Sequence, residues 1–221
     1  MEFSYDDDLQ QFLKELRAFI AKYRTPALME EVRASRRDGL GRDAGEGGPS
    51  EGGSGPEAQK FRAAMNEAGY TTMGWPEEYG GQGKGGLFAF LLNEELHYWD
   101  VPYVFNRLSI GSVGPTIMRF GTEEQKREWL PKIVSGEMTF ALGYTEPNAG
   151  TDLQGIRTKA VSSDGKNYII NGNKTWISNG IEGGALALLV KTDPEASPPR
   201  KGMTMFIAPK LDPETGVAHE G

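Results

Sequence analysis

With 221 residues, no cysteine and a net charge of −7, the chain has room for one large or two small cores, but for no disulfide framework and no thiolate metal centre. The acidic balance excludes the basic footprint of a nucleic-acid binder, and no run reaches the roughly eighteen apolar residues that a membrane span requires. The opening stretch is acidic where secretory and mitochondrial leaders are basic, which predicts a cytoplasmic protein with no membrane partner.

The first half reads as helices. Ser4 is placed to cap the first, with Asp6, Asp7 and Asp8 at its positive end. Leu9, Phe12, Leu13, Leu16, Phe19 and Ile20 then recur at helical spacing up to Pro26, which ends or redirects the helix. A short second helix is predicted from Ala27 to Arg37. Gly39 to Pro56 is glycine-rich with almost no apolar residue, and this predicts a mobile loop. The alternative, a phosphate-binding loop, lacks a preceding strand and a closing Gly-Lys-Ser/Thr. Glu57 to Ala68 is helical again, with Gly69 as its stop. Gly74 to Gly81 is a turn-rich link with Trp75 expected to be buried.

Leu87 to Trp99 reads as a helix in which Glu94 and Glu95 point to different sides, one solvated and one structural. His97 reads as a packing histidine, and nothing near it completes a metal site. Ile110 to Phe120 is predicted helical, with Gly111 and Gly114 permitting close approach. Thr122 to Gln125 forms a capping box for a helix that ends near Leu130, before Pro131.

From Met138 onward the period falls to two. Met138 to Gly143 is a strand that breaks into Thr145-Glu146-Pro147-Asn148-Ala149-Gly150-Thr151, a bent loop with backbone N–H groups and hydroxyls free for a ligand. Ile156 to Val161 and Tyr168 to Ile170 read as strands joined by Asp164-Gly165. Asn171-Gly172 is a second turn, with Thr175 to Ile177 as a strand leading into a second loop, Trp176-Ile177-Ser178-Asn179-Gly180. Ala185 to Val190 and Met203 to Ala208 are strands, and Val217 begins another. The fold class is therefore α+β: an N-terminal α-helical domain over 1–135 and an antiparallel β-barrel, or a sandwich, over 136–221.

Three stretches carry a resemblance. Tyr144-Thr145-Glu146-Pro147-Asn148-Ala149-Gly150-Thr151-Asp152 and Asn171-Gly172-Asn173-Lys174-Thr175-Trp176-Ile177-Ser178-Asn179-Gly180 resemble the flavin-binding middle domain of the acyl-CoA dehydrogenases. Gly74-Trp75-Pro76-Glu77-Glu78-Tyr79-Gly80-Gly81 resembles that family's N-terminal helical domain, and the likeness runs from about residue 5 to the end. The resemblance implies FAD as cofactor, contacted by Leu142, Tyr144, Thr145, Gly150, Thr151, Trp176, Ile177 and Ser178. Thr151 also matches a position that meets the pantetheine or phosphate part of an acyl-CoA substrate. Leu142 departs from the pattern, since many relatives carry an aromatic residue there.

The implied reaction is α,β-dehydrogenation of an acyl-CoA thioester, with electrons passing to an electron-transfer flavoprotein, in a homo- or heterotetramer. The family's catalytic base lies in a C-terminal helical bundle that this sequence lacks. No catalytic residue is therefore assigned, and Glu94, Glu146 and Glu182 are not promoted to the role. Glu146 is expected to shape its own loop. On this reading the chain alone binds FAD weakly and does not turn over. The competing readings are a flavin monooxygenase or oxidase on the same scaffold, and a non-catalytic subunit of a heteromeric dehydrogenase.

Overall fold

The structure, a computed structural model, describes residues 5–39, 55–102, 107–180 and 183–210. The chain forms two compact units, Met1–Glu137 and Met138–Gly221. The expected Ser4 cap, most of the Gly39 to Pro56 loop, Glu182 and the strand at Val217 lie outside the described residues.

The first unit is helical. Helix α1 (Asp7–Tyr23) starts on Asp6, whose side chain accepts a hydrogen bond from Leu9 N–H at 2.9 Å. Leu9, Phe12, Leu13, Leu16 and Ile20 form its buried stripe. Pro26 opens α2 (Pro26–Gly39), where its missing N–H costs nothing, and Thr25 Oγ1 accepts from Leu28 N–H at 3.1 Å. Helix α3 (Pro56–Glu67) packs on α2, and α4 (Gly86–Tyr98) packs on α1. One apolar core joins them, built around Leu16, Ile20, Val32, Phe61, Leu91 and Leu96.

Glu95 is the structural member of the acidic pair on α4: it is buried and accepts from Arg17 and from Trp99 Nε1, while Glu94 is exposed. His97 is exposed, with Nδ1 2.6 Å from the Asn93 carbonyl, and is not the packing histidine expected. Its flanking aromatics do not enclose it, because Tyr98 turns outward to solvent.

Past α4 the chain forms a π-helical turn (Ser109–Val113) that runs into α5 (Gly114–Phe120). Trp75 is buried as expected and donates from Nε1 to the Ile110 carbonyl at 3.0 Å. The Trp75 ring occupies the space where a side chain on Gly114 would stand, whereas Gly111 faces open space. The capping box at Thr122 is formed, and it starts α6 (Glu123–Ser135). Pro131 does not end this helix. Ile133 is buried along with Trp129 and Leu130. Burying such side chains contributes about 2 kcal/mol each, which offsets the roughly 3 kcal/mol cost of an interior proline.

The described residues of the second unit form a five-stranded sheet: β1 (Phe140–Gly143), β2 (Lys159–Val161), β3 (Ile169–Asn171), β4 (Ala185–Lys191) and β5 (Met203–Pro209). It is mixed and open, where the sequence suggested an antiparallel barrel. β4 is central. β5 runs antiparallel along one edge of it, while β1 and then β2 pair with it in parallel along the other. β2 with β3 forms the expected hairpin. The parallel pairing arises because the whole stretch 144–184, both loops included, crosses back before β4 begins. Thr175 to Ile177 is not a strand, because Trp176 sits at φ +54°, outside the extended region. No helix among the described residues is long and apolar enough to cross a membrane.

Candidate functional site

Two loops leave the ends of β1 and β3 and meet beside the sheet. Thr175 N–H donates to the Thr145 carbonyl at 2.9 Å. One residue earlier, Lys174 Nζ donates to the Tyr144 carbonyl at 3.0 Å and to Glu146 Oε1 at 2.9 Å. The Lys174 and Glu146 side chains are 7% and 6% exposed, so the pair is screened from water.

Glu146 organises more than this contact. Its Oε2 accepts from Arg157 N–H at 2.6 Å, and its Oε1 accepts from Thr158 N–H at 2.9 Å and Thr158 Oγ1 at 2.5 Å. Its own backbone closes the loop, with Glu146 N–H donating to the Ala149 carbonyl and Ala149 N–H returning to the Glu146 carbonyl. Burial alone pushes the carboxyl up. The donors from Thr158, Lys174 and Arg157 together outweigh burial and bring it from 4.5 down to about 2. Thr158 approaches this closely because residue 172 is glycine: a Cβ there would overlap Thr158 Oγ1.

The second loop is anchored as firmly. Asn179 Nδ2 reaches the Phe140 carbonyl at 3.5 Å, Gly183 N–H donates to the Asn179 carbonyl at 2.7 Å, and Lys210 Nζ donates to the Gly180 carbonyl at 2.6 Å. Within this frame Trp176 is 87% exposed and left-handed. For a bulky residue that backbone costs about 1–2 kcal/mol, and the surrounding bonds hold it in place.

The predicted site residues separate into two groups. Leu142 on β1 and Tyr144 just beyond it are half-buried on the sheet face shared with Ala187, Leu189 and Met205, and Tyr144 OH donates to Met205 Sδ at 3.6 Å. Burial raises the Tyr144 phenol, so it stays neutral. Thr145 is tied to the second loop at Thr175, the residue that precedes Trp176, Ile177 and Ser178 in the chain. Gly150 and Thr151 stand exposed at the far end of the first loop, and among the described residues no hydrogen bond ties them to the second. The first loop therefore offers one cluster at its root and another at its tip.

Lys174, Thr158 and Gly172 hold the arrangement; from the sequence Gly172 reads only as part of a turn, and Lys174 and Thr158 are not singled out. Lys174 and Gly172 lie inside the second motif. A lone lysine between two polar turn residues was the available signal, since a lysine there has no amphipathic face to solvate. Thr158 carried no signal.

The sequence matches the acyl-CoA dehydrogenase N-terminal domain over residues 6–137 and the acyl-CoA dehydrogenase middle domain over residues 141–220. It is 38% identical over 211 residues to acyl-CoA dehydrogenase FadE26 of Mycobacterium tuberculosis, covering 95% of this chain and 49% of that protein. It is 37% identical over 163 residues to the mitochondrial isovaleryl-CoA dehydrogenase of Pongo abelii, covering 69% and 36% respectively. Among solved structures, the ChsE4-ChsE5 complex from Mycobacterium tuberculosis superposes with a TM-score of 0.73 at 35% identity, over 95% of this chain and 48% of that one. The chain spans about half the length of these proteins. With both units matched along nearly their whole length, the chain belongs to the acyl-CoA dehydrogenase family, an oxidoreductase family, and carries its N-terminal and middle domains.

Proposed function

We propose that the paired loops form the flavin edge of an enzyme that removes two hydrogens from the α and β carbons of an acyl-CoA thioester. The observation that carries this reading is the joining of the two loops through Thr175 and Lys174, which sets the Thr145 region beside the exposed Trp176. Hydroxyl and backbone donors next to an indole face fit a flat ring system with a polar edge. FAD has that shape, and when bound it accepts the hydride that leaves the β carbon. Backbone N–H groups of Tyr144 and Thr145 and the Thr145 hydroxyl stand as donors for the ring edge where negative charge collects. Trp176, with Ile177 behind it, covers a ring face, and Ser178 supplies a second hydroxyl. Gly150 and Thr151, at the loop tip, fit the polar part of acyl-CoA better than the ring.

An electron-transfer flavoprotein is the electron acceptor on this reading, and the working assembly is a tetramer in the cytoplasm. A heteromeric form is favoured by the likeness to the ChsE4-ChsE5 complex. The test is the visible absorption of the purified chain after incubation with FAD and gel filtration. A retained flavin band that is lost on Thr145→Val together with Ser178→Ala supports the reading. No retained flavin, even at saturating FAD in equilibrium binding, overturns it.

A further inference from the structure

We propose that the buried Lys174–Glu146 pair tunes the electron affinity of the bound flavin by setting the strength of the Thr145 N–H as a donor. The inference rests on the flavin reading above and assigns positioning roles to two residues outside the contact set.

The Tyr144 carbonyl and the Thr145 N–H belong to one planar trans peptide and point in opposite directions. Lys174 Nζ takes the carbonyl at 3.0 Å, so the N–H faces away from the lysine. The next peptide is fixed as well: the Thr145 carbonyl accepts from Thr175, and Glu146 N–H donates to Ala149. Both peptides around Thr145 are thus immobilised. Among the described residues no acceptor takes the Thr145 N–H itself.

An ammonium on the carbonyl withdraws electron density and strengthens the N–H on the other end of the same peptide. In a dry site that effect is little screened. Glu146 opposes it, because its carboxylate neutralises the same ammonium at 2.9 Å. The two side chains therefore act with opposite sign. A stronger Thr145 donor favours the reduced, negatively charged ring, and a weaker one favours the oxidised ring.

The experiment is the midpoint potential of FAD held at saturation on the chain, for the wild type and four variants. Lys174→Met, and Lys174→Gln as the milder neutral variant, are expected to move the equilibrium about tenfold toward oxidised flavin, about 30 mV for a two-electron couple. Lys174→Arg restores the wild-type value. Glu146→Gln moves it the opposite way, because the cation is left unneutralised. A purely structural role predicts shifts of one sign for every variant, and that result overturns the inference, as do unchanged potentials with flavin bound. Absence of bound flavin on the wild-type chain sinks the functional reading itself, and this inference with it.

Discussion

Each unit buries one glutamate against a cation, yet the two carboxylates do different jobs. In the helical unit Glu95 Oε1 accepts from Arg17 at 3.0 and 2.6 Å, and Oε2 accepts from Trp99 Nε1 at 3.0 Å. All its donors are side chains, and Arg17 is 57% exposed. In the β unit Glu146 takes two backbone N–H groups, a hydroxyl and a buried ammonium. Helices α1 and α4 supply their own backbone partners, so Glu95 adds a cross-tie to elements that already stand. The loops beside β1 have no ladder. There the carboxylate is itself the backbone's partner, and the fold depends on it.

Breaking the Glu146 network should have the largest effect. Glu146→Ala leaves Arg157 N–H and Thr158 N–H without their acceptor and the buried Lys174 ammonium without its counter-charge, with only the Tyr144 carbonyl to bond, and is expected to cost about 3–5 kcal/mol. Urea unfolding followed by far-UV circular dichroism measures it, and a loss below about 1 kcal/mol would show that the loops hold without the acid. The pH dependence tests the same group without removing it. The folded carboxyl lies at about 2 against an ordinary 4.5, so its contribution is complete above pH 4.5 and fades as the pH falls toward 2. The drop over that window is expected to be about 3 kcal/mol. It should flatten in Glu146→Gln and persist in Glu95→Gln, so equal flattening by both variants would erase the distinction between the units.

This contrast explains what was legible in the sequence. Helical spacing displayed the α1 stripe and the capping box at Thr122 directly, because each follows from neighbours within one or two turns. The strands were visible as short apolar runs, but their pairing was not. Nothing local in Phe140–Gly143 or Ala185–Lys191 states that they run parallel. That follows from the intervening loops, which are held by contacts spanning about thirty residues, such as Lys174 to Tyr144. The candidate site was legible as motif strings, which gave Thr145, Trp176 and Ser178. Its framework was not, because Thr158 is an ordinary strand-flanking threonine until Gly172 lets it approach. The left-handed Trp176 ran against local propensity, and the extension of the strand through it failed for that reason.

A packing test in the helical unit is expected to have an intermediate effect. Gly114→Ala places a methyl group where the Trp75 ring stands, and the Nε1 bond to Ile110 limits how far that ring can retreat. The expected cost is about 1–3 kcal/mol, read as a lower Tm, while Gly111→Ala, with open space around it, should be neutral or slightly stabilising. Equal effects at the two positions would remove Trp75 as the reason for the glycine.

The smallest effect is expected where the comparison is sharpest. Arg17→Met and Lys174→Met make the same change, an apolar stem in place of a cation beside a buried glutamate. Arg17 is mostly in water, so its attraction to Glu95 is screened, and removing it still leaves Glu95 its bond from Trp99. The expected cost is about 1 kcal/mol or less. Lys174→Met takes a buried counter-charge from Glu146, which keeps its donors from Arg157 and Thr158, and is expected to cost about 3 kcal/mol or more. Salt provides a second axis. The Arg17 effect should shrink between low and high ionic strength, and the Lys174 effect should not, because ions reach only the exposed pair. Equal costs for the two substitutions, or equal salt sensitivity, would mean that the surroundings of the two glutamates do not set their roles.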